Sequence, residues 1–505
     1  MNTAKLKDNI LELIRRTSAF LPPDVLNSIE SRMAFEQKGS LADFALDMVM
    51  QNIGLAKRKS GPICQDTGTI AFTIKCPVGL NQIELANTIK KAIIEATEKG
   101  YLRQNSVDSI TGKNTGNNLG HGHPVLHIEQ WDFEDLDIRL TLKGGGCENM
   151  SAQYKLPAEF NGKKYGRDLE GVRACILDAV LQAQGKGCGP GYLGVCIGGD
   201  RAMGYDWAKH QLLREIDDTN PDPELADLEA RIMDEANQLN IGPMGFGGKF
   251  TIGSCKISAR NRLPASFFVS VAYMCWAFRR RGVILDSNGD INHWLYQTPG
   301  EFEDRVEYPD SFTVKTKGVK VLNTPLNEAD IRALKVGDSV LIHGTVFTGR
   351  DAVHKYLHEG GELEQIRNGI IYHCGPVILK EGKSYRVMAA GPTTSIREEP
   401  YQGEIIKKFG IKAVIGKGGM GAKTLAACKE HGAVYLHAIG GAAQIYAQCV
   451  KEVRGVYLEQ FGSPEAVWEF KVEGFPAVVT MDSHGNSLHK IVFDDSSKKL
   501  KSILK

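Results

Sequence analysis

Apolar residues recur every three or four positions from residue 3 to residue 57, with one break at Pro22-Pro23, and this spacing predicts helix on both sides of the break. A short β-like run, Ile70 to Lys75, then predicts a strand, and residues 81 to 99 return to the helical period. Two further strands are predicted around Val125–Ile128 and Ile138–Leu142, the second running into Lys143-Gly144-Gly145-Gly146-Cys147. Helix, strand and loop alternate as far as Asp286. Residues 286 to 311 are polar with little apolar periodicity, which predicts a linker. Beyond it Leu326–Leu334 reads as helix, Ser339–Ile342 as strand and Asp351 onward as helix. Val387–Ala390, Ala413–Ile415 and Val434–Leu436 are short β-like runs between helical segments and Gly-rich turns. That alternation predicts an α/β layer fold for the second half. The chain is therefore expected to be α/β with two domains, 1–285 and 312–505.

Composition supports this division: 505 residues exceed what a single core usually serves, and 42% apolar with 24% charged residues is an ordinary globular balance. Lys+Arg (61) and Asp+Glu (60) nearly cancel, which argues against nucleic acid or an anionic membrane as partner. The first twenty residues mix acids with bases and contain no signal-like apolar core, and no run approaches the roughly 18 apolar residues of a membrane span. A cytoplasmic protein is expected. Its 11 scattered cysteines then read as reduced thiols or metal ligands, not as a disulfide framework.

The candidate chemistry begins in Gly61-Pro62-Ile63-Cys64-Gln65-Asp66-Thr67-Gly68-Thr69. Gly and Pro mark a loop, and an amide, a carboxylate and a hydroxyl directly after a thiol make a poor core segment. Such a loop suits a thiolate that holds a metal while its polar neighbours face a ligand; a polar turn with a chance cysteine is the alternative. Cys188 sits in a similar Gly/Pro turn, and Cys275 ends a β-like run before Trp276 and three arginines. Cys175, Cys196, Cys428 and Cys449 lie in apolar patterns and read as small core residues. No C-x-x-C pair occurs, which disfavours a zinc ribbon. In the second half Arg350, Arg397 and Lys417 each occupy a loop between a strand and a helix, where an anion is readily held. Ordinary solvated charges are the alternative there. The Lys417 loop lacks the P-loop spacing, so nucleotide binding has little support.

Seven motifs in order carry a resemblance. Cys-Gln-Asp-Thr-Gly-Thr at 64–69, Lys-Gly-Gly-Gly at 143–146, Gly-Gly-Lys at 247–249 and Cys-Trp-Ala at 275–277 resemble the N-terminal half of class I, iron–sulfur fumarate hydratases. Gly-Thr-Val-Phe-Thr-Gly-Arg-Asp at 344–351, Gly-Pro-Thr-Thr at 391–394 and Gly-Lys-Gly at 416–418 resemble the C-terminal half. The resemblance spans about Asp43 to Asn486 and extends to two-subunit tartrate dehydratases, whose halves are separate chains. It implies an N-terminal cluster domain, a swivelling C-terminal domain and an active site in the cleft between them. It further implies a [4Fe–4S] cluster on Cys64, Cys188 and Cys275, and a homodimer acting on a small dicarboxylate. Substrate contacts are implied for Gln65, Asp66, Arg103, Gly146, Arg350, Thr394, Arg397 and Lys417, with Thr393 as base and Asp66 beside it. One departure concerns a family His twelve residues before the third cluster cysteine; here that position is Leu263, which bears on the choice among fumarate, mesaconate and tartrate.

The activity so implied is reversible hydration of fumarate to (S)-malate. An iron with an open position would act as Lewis acid, and Arg and Lys would meet the charge that builds on the far carboxylate. Tartrate dehydratase or mesaconate hydratase is the alternative on the same scaffold. An iron–sulfur sensor is a different class, which four cysteine ligands without an anion clamp would favour.

Overall fold

Proline chemistry sets the first boundary. Pro23 begins the helix Pro23–Met33, where its missing N–H costs nothing, and Pro22 closes the preceding helix Thr3–Ala19. The third helix, Leu41–Lys59, is capped by Ser40, whose hydroxyl accepts from Asp43 N at 3.2 Å; it ends at Ser60 in the left-handed region, φ 49°, which turns the chain into the Cys64 loop. The structure, a computed structural model, describes residues 3–160, 162–298, 311–315 and 318–505.

The first half holds two sheets. In one, Thr69–Pro77 lies between Leu136–Lys143 and Val125–Trp131, with Arg279–Leu285 and Ile291–Leu295 continuing the far edge. Ile70, Phe72 and Ile74 alternate into its core against Ile10 and Ile14 of the first helix and Ile89 and Ile93 of helix Gln82–Glu98. In the other, Gly191–Gly198 is buried along its whole length between Ile252–Arg260 and Phe268–Met274, with Ala152–Lys155 at the edge. Helices Leu169–Ala183 and Pro223–Gln238 cover that sheet. Part of the expected linker is thus sheet, because Ile291–Leu295 pairs antiparallel with Arg279–Leu285. Residues 299–310 of the same stretch lie outside the described residues.

The second half is more than an open layer. Strands Ser339–Thr348, Ile370–Tyr372, Ala413–Gly416 and Val434–His437 run parallel in that order. The long strand Val467–Met481 then pairs antiparallel with both Val434–His437 and Ser339–Thr348, so five strands close into a ring. Lys320–Asn323 and Val450–Tyr457 extend it at either side.

Buried polar bonds join the halves. Asn52, fully buried on the third helix, accepts from Gln444 N at 2.8 Å through Oδ1 and donates to the Ile63 carbonyl at 3.0 Å through Nδ2. Trp276 Nε1 donates to the Gly440 carbonyl at 2.7 Å. The loop around Gly440 is thereby pressed against the cysteine loops: a Cβ at Gly440 would meet Cys188 Sγ at 2.3 Å, so a side chain does not fit there.

Candidate active site

Asp66 is fixed by its own loop and by two others. Its Oδ2 accepts from Gly145 N at 2.9 Å, at the start of the short helix Gly145–Asn149. Its Oδ1 accepts from Gly68 N at 3.2 Å and Asn105 Nδ2 at 3.3 Å, with Arg103 Nη2 at 3.4 Å. Burial alone would push this carboxyl up, but Arg103, Lys417, Arg279 and the Gly145 N–H outweigh it and hold the pKa at about 2. Asp66 is a carboxylate at any working pH.

The three singled-out cysteines are buried, at 5% exposure for Cys64, 3% for Cys188 and 8% for Cys275. Cys188 adopts φ 52° after the tight turn Gln184–Gly187, and its carbonyl accepts from Trp276 N, next to Cys275, at 3.4 Å. Burial raises the pKa of the Cys64 and Cys188 thiols, and Lys417 opposes this at both. The thiols act back on Lys417: burial would lower its pKa, yet Cys188, Cys64 and Cys275 raise it well above the usual lysine range. Thiols from the first half and an ammonium from the second therefore occupy one neighbourhood.

A fourth thiol belongs to this group. Cys147 follows the Gly-rich turn and shares a side-chain hydrogen bond with Cys275; that bond, assisted by Lys143 and Lys417, brings it down to about 6. Sequence reasoning passed over it as the tail of a glycine motif. Its signal was position, one residue beyond a glycine whose Cβ would lie 3.3 Å from Thr394 Oγ1 and 3.5 Å from Lys417 Nζ.

On the second half, three loops interlock. Lys417 N donates to the Thr393 carbonyl at 3.2 Å, Ser395 N to the Lys417 carbonyl at 3.1 Å, and Thr393 N to the His373 carbonyl at 2.7 Å. Arg350 immediately precedes the helix Asp351–His358; its Nη1 lies 2.9 Å from Glu465 Oε1. Arg397 Nη2 lies 3.1 Å from Asp351 Oδ2. Thr393 Oγ1 is buried and has no hydrogen-bond partner among the described residues.

A cavity of about 530 Å³ brings these groups together. Gln65, Asp66, Arg103 and Gly146 line it from the first half; Arg350, Thr393, Thr394, Arg397 and Lys417 line it from the second. Asn105, His123, Glu148 and Glu465 also line it, and none of these was singled out from sequence. Leu263 does not: it is 73% exposed, on the turn between Ile252–Arg260 and Phe268–Met274. Within this chain the turn carries Leu263 to the surface, away from the residues that line the cavity.

Residues 7–284 match the family model described as fumarate hydratase (fumerase), and residues 289–492 match that described as fumarase C-terminus. The chain belongs to the fumarate hydratase family. It is 56% identical over 503 residues to a Geobacillus stearothermophilus protein provisionally named class I fumarate hydratase, covering 98% of each chain. Two Methanocaldococcus jannaschii proteins provisionally named L(+)-tartrate dehydratase subunits match the halves separately. The alpha subunit is 33% identical over 55% of this chain and 96% of its own; the beta subunit is 40% identical over 35% and 95%. In this member of the fumarase family the two halves are one polypeptide.

Among the described residues no three His, Cys, Asp or Glu side chains are gathered closely enough to hold a single metal ion. The thiolates of an iron–sulfur cluster bind different irons and stand further apart than the ligands of one ion. Buried thiols beside a persistent ammonium, with Gly440 leaving room at Cys188, are a donor set that fits such a cluster.

Proposed function

We propose that the chain is a hydro-lyase that interconverts fumarate and (S)-malate in the cavity shared by its two halves, with Cys64, Cys188 and Cys275 holding a [4Fe–4S] cluster. The observation that carries this reading is the meeting of the thiols with Lys417, a residue more than a hundred positions from any of them, at the edge of a cavity lined by arginines. When bound, such a cluster supplies an iron with an open position and Lewis-acid character.

The chain's own residues do the remainder. Arg350 and Arg397 offer guanidinium forks to one substrate carboxylate, exchanging their bonds to Glu465 and Asp351 for it. Arg103, tied by Nη1 to the Gly375 carbonyl at 2.8 Å, orients Asp66 toward the same space. Lys417 stays protonated, so it serves as fixed positive charge against the carboxylate whose charge grows as the α-proton leaves. Thr393 Oγ1 is the unpartnered hydroxyl on that wall and moves the proton, with the adjacent cationic charge favouring its ionised form.

Tartrate dehydration is the second reading, favoured by the separate matches of both halves to tartrate dehydratase subunits. Full-length similarity to a protein provisionally named class I fumarate hydratase supports fumarate as the first substrate; the proposed order after it is mesaconate, then tartrate. No helix among the described residues is long and apolar enough to cross a membrane, and all 11 cysteines are unpaired and buried. A homodimer in the reducing cytoplasm fits the same reading. Anaerobic reconstitution with iron and sulfide, followed by kinetics on the three substrates, tests it: a tartrate kcat/KM above that for malate overturns the ranking.

A further inference from the structure

Glu398 ends the tight helical turn Ser395–Glu398 that carries Arg397, and helix Glu399–Phe409 begins directly after it. Its side chain is fully buried, and neither carboxyl oxygen has a hydrogen-bond partner among the described residues. A buried carboxylate without donors is costly, so a polar group left this way calls for an explanation. The facing charges are few. Arg397 Nη2 stands 3.9 Å from Oε1, too far for a hydrogen bond. Arg350 and Asp351 face it from the end of the strand Ser339–Thr348 and the helix that follows, and Tyr435 from the strand Val434–His437. Gln402, one turn further on, faces the rings of His354 and His373 through Oε1 and gives Glu398 no donor. Arg350 Nε is likewise buried without a partner. An unsatisfied acid thus lies beside two arginines that line the cavity.

We propose that Glu398 is a positioning residue of the anion clamp: as a neutral acid it leaves Arg350 and Arg397 free for a substrate carboxylate, and once ionised it competes with that carboxylate for them. The inference rests on the reading of the cavity as a dicarboxylate site. Burial, then Asp351, push this carboxyl up to about 8 against the pull of Arg397 and Arg350. The neutral form therefore prevails at pH 7 and the ionised form above about pH 8. Affinity for a dicarboxylate should then fall about tenfold per pH unit beyond that point, with a proton taken up on binding.

Calorimetry of succinate binding to the reconstituted enzyme tests this between pH 6.5 and 9.5, in two buffers of different protonation enthalpy. Succinate has no double bond to hydrate, so binding is read apart from turnover. Wild-type affinity should fall across pH 8 with uptake of about one proton at pH 8.5. Glu398→Gln and Glu398→Met should both give a flat profile without that uptake, and match wild type within about twofold at pH 6.5. A variant profile with the wild-type slope overturns the proposal, as does a variant that binds more than tenfold more weakly at pH 6.5. Should neither variant fold, wild-type proton uptake decides: its presence at pH 8.5 supports the role and its absence overturns it. Failure of wild type to bind either succinate or fumarate at any pH removes the dicarboxylate reading itself, and this proposal with it.

Discussion

Gln65 Nε2 donates a 2.8 Å hydrogen bond to the carbonyl of Pro392, joining the cysteine loop of one half to the Gly-Pro-Thr-Thr loop of the other. Both groups are buried, and they are separated by more than three hundred residues of chain. The amide therefore sets the distance between Cys64 and Thr393 as well as lining the cavity.

Replacing Gln65 by Met keeps the volume and leaves the Pro392 carbonyl without its donor. An unsatisfied buried acceptor costs about 1–3 kcal/mol, so the melting temperature should fall by a few degrees. Because the two loops would also drift apart, kcat should fall together with affinity, and steady-state kinetics beside thermal unfolding check both.

Cys64→Ser, Cys188→Ser and Cys275→Ser should each abolish activity and lower bound iron after reconstitution. Cys428→Ser should do neither, since Cys428 lies in the apolar core of the second half. Cys147→Ser is the informative fifth variant: it should keep its iron, because Cys147 is a neighbour of Cys275 and is not among the three thiols proposed to hold the cluster. Iron analysis with visible absorbance reads the whole set.

Replacing Arg397 by Lys keeps a charge and discards the planar fork. Losing a charge-assisted bond costs about 1.5–3 kcal/mol, which is on the order of a ten- to hundred-fold loss in kcat/KM for malate.

Glu398 also makes stability depend on pH. Its pKa rises from an ordinary 4.5 to about 8 on folding, so the folded protein binds the extra proton between those values. Stability is unaffected below about pH 4.5, declines as pH rises through the window and bears the full penalty above 8. Glu398→Gln removes the penalty. Its melting temperature relative to wild type should be higher at pH 8.5 than at pH 5, by an amount equivalent to about 4 kcal/mol.

Much of this arrangement was legible in the chain because its parts are loops with strong local chemistry. Gly and Pro around Cys64 and Cys188, and glycines before Lys417, mark turns whatever the tertiary fold. Helix Leu41–Lys59 and strand Thr69–Pro77 were readable from their periods, as were Ala413–Gly416 and Val434–His437 of the second half, while Ile370–Tyr372 was not and the run at Val387 lies in an antiparallel hairpin. The closed ring was not, since it depends on pairing Ser339–Phe347 with Glu469–Val478, more than a hundred residues apart. Partners were also hidden: Glu465 meets Arg350, and Cys147 meets Cys275, through contacts that no local pattern encodes. In sequence nothing sets Glu398 apart from the neighbouring Glu399, and its burial is what distinguishes it. The exposure of Leu263 was not readable either, because a motif fixes order along the chain and not the direction a turn takes.

The most direct test of a single site built from both halves is the turnover of Lys417→Met compared with wild type at equal iron content. Lys417 comes from the second half, yet its charge lies against Cys188, Cys64 and Cys275. The variant should load iron as wild type does and lose at least a hundredfold in kcat for fumarate hydration, with a smaller change in KM. Wild-type kcat in a fully loaded Lys417→Met protein would contradict the account.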